Sequence, residues 1–113
     1  MKIYHNPRCT KSNCALGLIA QYGMEPQVVE YLHNAPEKDE LIALLDMLGM
    51  SPIDIVRKNE PVFKAQYEGQ QFTDEQWITI LLQHPILIER PIVVHNGKAV
   101  IARPAEKLLE LLK

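Results

Sequence analysis

The stretch that decides the fold is residues 91–102, PIVVHNGKAVIA. Two runs rich in β-branched residues, Ile92-Val93-Val94-His95 and Lys98-Ala99-Val100-Ile101, flank Asn96-Gly97. Asn-Gly is the dipeptide best able to take the positive φ angles of a two-residue hairpin turn, so the segment is predicted to be an antiparallel hairpin. If Asn96-Gly97 is the turn, His95 pairs with Lys98 and the register runs back until Arg90 faces Arg103. Like charges placed opposite each other on one face repel. Such a pair calls for a shared acidic partner or a bound anion, unless the two side chains splay into solvent at the open end. Each arginine also precedes a proline, which holds its backbone extended.

Working outward, Pro104 opens a last predicted helix over Ala105 to Leu112. At the other end of the chain Lys2 to Tyr4 reads as a short strand, and His5-Asn6-Pro7-Arg8 as a turn. From Thr10 to Tyr22 the apolar positions Ala15, Leu18, Ile19 and Tyr22 fall on one helical side, with Gly23 as a left-handed stop. Val28 to Leu32 reads as a second strand, so the chain opens with a βαβ unit and a parallel pair. Glu37 to Leu48 is an amphipathic helix carrying Leu41, Leu44, Leu45 and Leu48, ended by Gly49. Ser51-Pro52 resembles a fresh helix start, leading to Ile55, Val56 and Arg57. Asn59 to Gln71 gives no clear pattern, and Thr73 to Gln76 is a capping box ahead of Trp77, Ile80 and Leu81. The order βαβ, a helical middle, then ββα predicts an α/β fold, a thioredoxin-like mixed four-stranded sheet.

Composition agrees with one globular domain: 113 residues, 47% hydrophobic and 23% charged, with no repeat or low-complexity tract. A formal charge of -2 gives no general pull toward nucleic acid or membrane, so an anion site has to be local. There is no apolar run of the roughly 18 residues a membrane span needs, and no signal-peptide core. The only two cysteines, Cys9 and Cys14, are too few for a disulfide framework, which points to the reducing cytoplasm.

Cys9 stands where a turn hands over to a helix. Unpaired N–H groups and the helix dipole favour a thiolate there. Arg8 and Lys11 add positive charge, while Thr10 and Ser12 offer hydroxyl donors. The competing reading is a small buried hydrophobe. Cys14 lies five residues on, about 140° round the helix from Cys9, a poor geometry for a disulfide. Arg57, near the expected end of the third helix, reads by itself as an ordinary dipole partner. His5, four residues before Cys9, either tunes the thiol or caps the strand end. The histidines and cysteines have no metal-ligand spacing, so no metal is expected. A Cys-x5-Arg phosphate loop is excluded because the position it needs is Ala15.

The segments IYHNPRCTKS, RKNEP, QHPILIERPIVV and ARP, in this order over nearly the whole chain, resemble the glutaredoxin-coupled arsenate reductases and their short relatives. That resemblance implies a thioredoxin-like core over residues 1–33 and 90–113 with a helical insertion at about 37–88. It implies Cys9 as the nucleophile with His5 beside it, and Arg57, Arg90 and Arg103 around an oxyanion. It further implies Ser12 and Thr10 in support and a cis Arg90–Pro91 bond. The implied reaction is reduction of arsenate to arsenite through a Cys9 adduct, with glutathione as co-substrate, glutaredoxin as partner and no bound cofactor. Nothing in the chain calls for more than a monomer. Thr10-Lys11-Ser12 departs from the relatives, which commonly place Gly directly after the cysteine, and the chain stops directly after its last helix, without the tail of the longer ones. The alternatives are a glutathione-linked thiol reductase with another substrate, and a regulatory binding protein like the Spx regulators, although these usually carry CxxC where this chain has Ser12.

Overall fold

The computed structural model describes residues 1–112. The chain divides into two compact units, Met1–Asn34 with Arg90–Lys113, and Ala35–Glu89.

The first unit holds the sheet. Strands β1 (Lys2–Tyr4), β2 (Gln27–Val29), β3 (Ile92–His95) and β4 (Lys98–Ile101) lie in the order β2-β1-β3-β4. β1 and β2 run parallel, with Tyr4 beside Val29, and helix α1 (Thr10–Gln21) makes the connection between them. β1 pairs antiparallel with β3 so that Tyr4 meets Ile92. The hairpin register is Ile92 to Ile101, Val93 to Val100, Val94 to Ala99 and His95 to Lys98. Asn96 at φ 52 and Gly97 at φ 76 supply the two left-handed residues that the turn requires.

α1 begins at Cys9 and ends in a Schellman arrangement. Gly23 at φ 71 donates its N–H to Ala20 O, and Met24 donates to Ile19 O. Ala15 and Ile19 turn inward and join Ile3, Val93, Ala102, Leu108 and Leu111 in one apolar core. That core forms because Ile3 and Val93 are register partners on the same face of the sheet, and because α1 packs against the C-terminal helix Ala105–Leu112. The C-terminal helix is wound as 3-10, with Leu108 and Leu111 at its i, i+3 repeat buried.

The second unit contains α2 (Lys38–Leu48), α3 (Pro61–Gln66) and α4 (Asp74–Gln83), with short 3-10 turns at Pro52–Ile55 and Pro85–Leu87. α2 buries Leu41, Leu44 and Leu45 and closes at Gly49, φ 67. α4 has the expected capping box: Thr73 Oγ1 accepts from Gln76 N at 3.2 Å, and Gln76 Oε1 accepts from Thr73 N at 2.9 Å. Trp77, Ile78, Ile80 and Leu81 face inward, and Trp77 meets Phe63, Tyr67 and Phe72 in an aromatic cluster.

Three local expectations are corrected. The second strand ends at Val29, not Leu32, because Glu30 O takes up the N–H groups of His33 and Asn34 and folds the chain into a turn. The helix expected from Ser51-Pro52 to Arg57 is one 3-10 turn that stops at Ile55. Val56 is extended and bridges Ile88, while Arg57 N donates to Leu87 O at 2.7 Å and Glu89 N donates to Ile55 O at 2.8 Å. The unreadable segment after Asn59 contains α3, started by Pro61 at the first helical position.

Candidate active site

Strand register decides which loops meet. Tyr4, Val29, Ile92 and Ile101 lie at the same end of the sheet. The chain therefore leaves β1 toward Cys9, leaves β2 toward Glu30–His33, enters β3 from Arg90-Pro91, and leaves β4 toward Arg103-Pro104, all at this end.

The loop from His5 to Cys9 is held from within. His5 N donates to Val29 O at 2.8 Å, continuing the parallel pairing one residue past the strand. Asn6 is buried and organises the turn. Its Oδ1 accepts from Arg8 N at 3.0 Å, an Asx turn, and its carbonyl accepts from Cys9 N at 3.0 Å. Asn13 Nδ2 donates to Pro7 O at 2.9 Å. Cys9 then caps α1 with extended backbone (φ -98, ψ 120), and its side chain accepts no cap bond from the helix N–H groups. It is partly exposed, its carbonyl receives Asn13 N, and no acidic residue stands in the first turn of the helix. Positive dipole potential at the cap is thus not offset locally by a carboxylate. Cys14 is exposed further along α1.

Ser12 is fully buried, and its hydroxyl faces the start of the loop. Oγ accepts from Asn6 N at 3.1 Å and shares a 2.5 Å hydrogen bond with His5 Nδ1. Ser12 thus reaches Cys9 indirectly, through the loop it fastens. Thr10 and Lys11 are exposed on the first turn of α1. His5 is 5% exposed, and burial lowers its pKa from the ordinary histidine value, with Glu30 pulling the other way. The neutral imidazole is the favoured form in this setting.

The two hairpin arginines stand just beyond the ladder instead of within it, which corrects the expected cross-strand pairing. Ladder pairing ends at Ile92 and Ile101, and Ala102 N donates to Pro91 O at 2.9 Å. Arg103 N turns back to Ile101 O at 2.9 Å, so it is spent on a tight local turn. Arg103 Nη1 nevertheless reaches Arg90 O at 3.5 Å, and Arg90 Nε and Nη1 are shielded from solvent. The Arg90–Pro91 and Arg103–Pro104 bonds are both cis.

Arg57 belongs to the second unit. Its guanidinium pairs with Glu60 and, through Nε, with Glu89 at 3.3 Å. The reading of Arg57 as a helix-end dipole partner is overturned, because no helix ends there.

Two residues of this end of the sheet escaped sequence reading. Asn6 had a signal, an Asx residue two positions before the N–H it accepts. Glu30 had none, since only the parallel pairing of β1 and β2 brings it beside His5. The two share a cleft of about 210 Å³ lined by His5, Asn6, Pro7, Arg8, Glu30, Leu32 and His33.

A four-stranded mixed sheet of this order, with a cysteine capping the first helix and two arginines at the same sheet end, makes the chain a thioredoxin-like α/β protein. The profile of the ArsC family matches residues 4–111, and the chain belongs to that family. It is 46% identical to an arsenate reductase of Acidiphilium multivorum over 97% of this chain and 79% of that one. It is 43% identical to an uncharacterized Escherichia coli protein, YfgD, over 99% of this chain and 96% of that one. An arsenate reductase structure from Vibrio cholerae superposes with a TM-score of 0.92 at 41% identity, covering 97% of this chain and 95% of that one. No helix among the described residues is long and apolar enough to cross a membrane.

Proposed function

We propose that the protein is an oxidoreductase that reduces arsenate to arsenite, with Cys9 as nucleophile and glutathione and glutaredoxin as external reductants. One observation carries the reading: a partly exposed cap cysteine with no acidic neighbour in its helix turn shares a sheet end with Arg90 and Arg103. Guanidinium forks suit a tetrahedral oxyanion through paired, charge-assisted hydrogen bonds. Membership of a family that includes named arsenate reductases supports arsenate as that oxyanion.

The chemistry runs as follows. Cys9 Sγ attacks arsenic, an As–S bond forms, and one arsenate oxygen takes up protons and leaves as water. Glutathione adds to arsenic in the same way and displaces a second oxygen as water, with arsenic still pentavalent. A glutaredoxin thiolate then attacks the glutathione sulfur. An S–S bond forms and the As–S electron pair stays on arsenic, which becomes trivalent. Hydrolysis of the remaining As–S bond releases arsenite and returns the Cys9 thiol. The arginines lower the barrier by offsetting charge on the oxyanion, an effect that costs about 100-fold or more in rate when one donor is lost. A reducing cytoplasm would supply both thiol reagents.

The test is a coupled assay with arsenate, glutathione and glutaredoxin, read as NADPH oxidation through glutathione reductase. Turnover that disappears in Cys9→Ser and falls about 100-fold in Arg103→Ala is expected; Arg57→Ala is read alongside, as the family resemblance singles it out. Full activity in Cys9→Ser would refute the mechanism. Absence of turnover in the native protein would refute arsenate as substrate.

A further inference from the structure

His5 is held by a buried hydrogen bond and borders a cleft. Nδ1 is turned to Ser12, whose hydroxyl also receives the N–H of Asn6. His5 also lines the cleft at this end of the sheet. Glu30 lines the same cleft, placed there because His5 continues the parallel pairing onto Val29. We propose that Glu30 is a positioning residue for the Cys9 site, holding the imidazole of His5 in a state that can exchange a proton with the cleft and passing that state, through Ser12 and Asn6, to the loop that carries Cys9. The proposal rests on Cys9 as the nucleophile, and it is independent of which oxyanion Cys9 attacks.

The chemistry gives the carboxylate a definite task. Burial alone drives His5 toward the neutral form, and a nearby negative charge is what opposes it. A carboxylate that opposes burial brings the protonated imidazole closer to reach than burial alone would allow. The other charged or titratable groups around His5 do not replace Glu30. Arg8, on the same loop and in the same cleft, has the opposite sign, and His33 lies across from it at the β2 exit. Cys9 caps α1, and Arg90 and Arg103 stand past Ile92 and Ile101 on the hairpin side. Among the described residues Glu30 is the only carboxylate lining the cleft. It is itself exposed, so its influence is screened by salt.

The experiment compares the native protein with Glu30→Gln and Glu30→Asp. NMR follows the titration of the His5 ring. Alkylation of Cys9 by iodoacetamide is followed across pH and resolved from Cys14 by peptide mass spectrometry. In Glu30→Gln the His5 midpoint should move to lower pH, and the acid side of the Cys9 alkylation profile should move with it. Glu30→Asp should stay near the native curve, and raising salt to 1 M should carry the native protein toward the Gln variant. Identical His5 titrations in native and Gln proteins would overturn the proposal. So would a shifted His5 with an unmoved Cys9 profile, since Glu30 would then act on His5 alone. Lack of arsenate turnover with both shifts present would refute arsenate as the substrate while leaving the role of Glu30 established.

Discussion

His5 Nδ1 and Ser12 Oγ lie 2.5 Å apart, with both side chains buried and seven positions apart in sequence. This bond ties the last residue of the β1 pairing to the first turn of α1. The loop carrying Cys9 is therefore closed at both ends, because the same hydroxyl also accepts from Asn6 N.

Removing the hydroxyl should loosen that closure. Ser12→Ala leaves the buried Asn6 N–H and the His5 ring without their partner, at a cost of about 1–3 kcal/mol. Urea unfolding should show a lower midpoint with an unchanged slope.

The depressed His5 pKa makes stability depend on pH. The unfolded histidine, at its ordinary value of 6.5, binds a proton more readily than the folded one. The contribution is therefore complete above pH 6.5 and is lost as pH falls below it toward the folded pKa. Chemical unfolding between pH 8 and 5 should show native stability declining over this window. His5→Gln should show a shallower decline, and parallel curves would contradict the assignment.

Arg57 should matter for the second unit in its own right. Its pairs with Glu60 and Glu89 are mostly shielded, with 17% of the Arg57 side chain exposed. Arg57→Ala should lower stability by about 1–2 kcal/mol, below the cost of breaking a fully buried pair. Arg57→Lys should recover only part of it, because an ammonium cannot reproduce the two-directional fork. Thermal unfolding of the three proteins measures the difference.

The hairpin turn is sensitive at one position. Gly97 sits at φ 76 in open space, so a methyl group meets no neighbour and the penalty of Gly97→Ala is conformational. That penalty is about 1–2 kcal/mol. A stability loss in this range without change in the pH dependence assigned to His5 is expected. An unaffected protein would mean that the turn relaxes to another type.

The sequence alone determined what is encoded within a few residues. Asn96-Gly97 between two β-branched runs fixed the hairpin and its register, and Gly23, Gly49 and the Thr73-Gln76 box set helix ends, because turn and cap chemistry is local. Cys9 at a strand-to-helix junction was legible for the same reason. The 3-10 turn at Pro52–Ile55 was not, because the backbone of Val56 and Arg57 is claimed by Ile88 and Leu87, some thirty residues later. Tertiary structure alone decided that Ser12 fastens His5 and Asn6, that the backbone N–H of Arg103 folds back onto Ile101 where the ladder ends, and that Glu30 shares a cleft with His5. Each depends on which strand lies beside which and where pairing stops, and no sequence period records that.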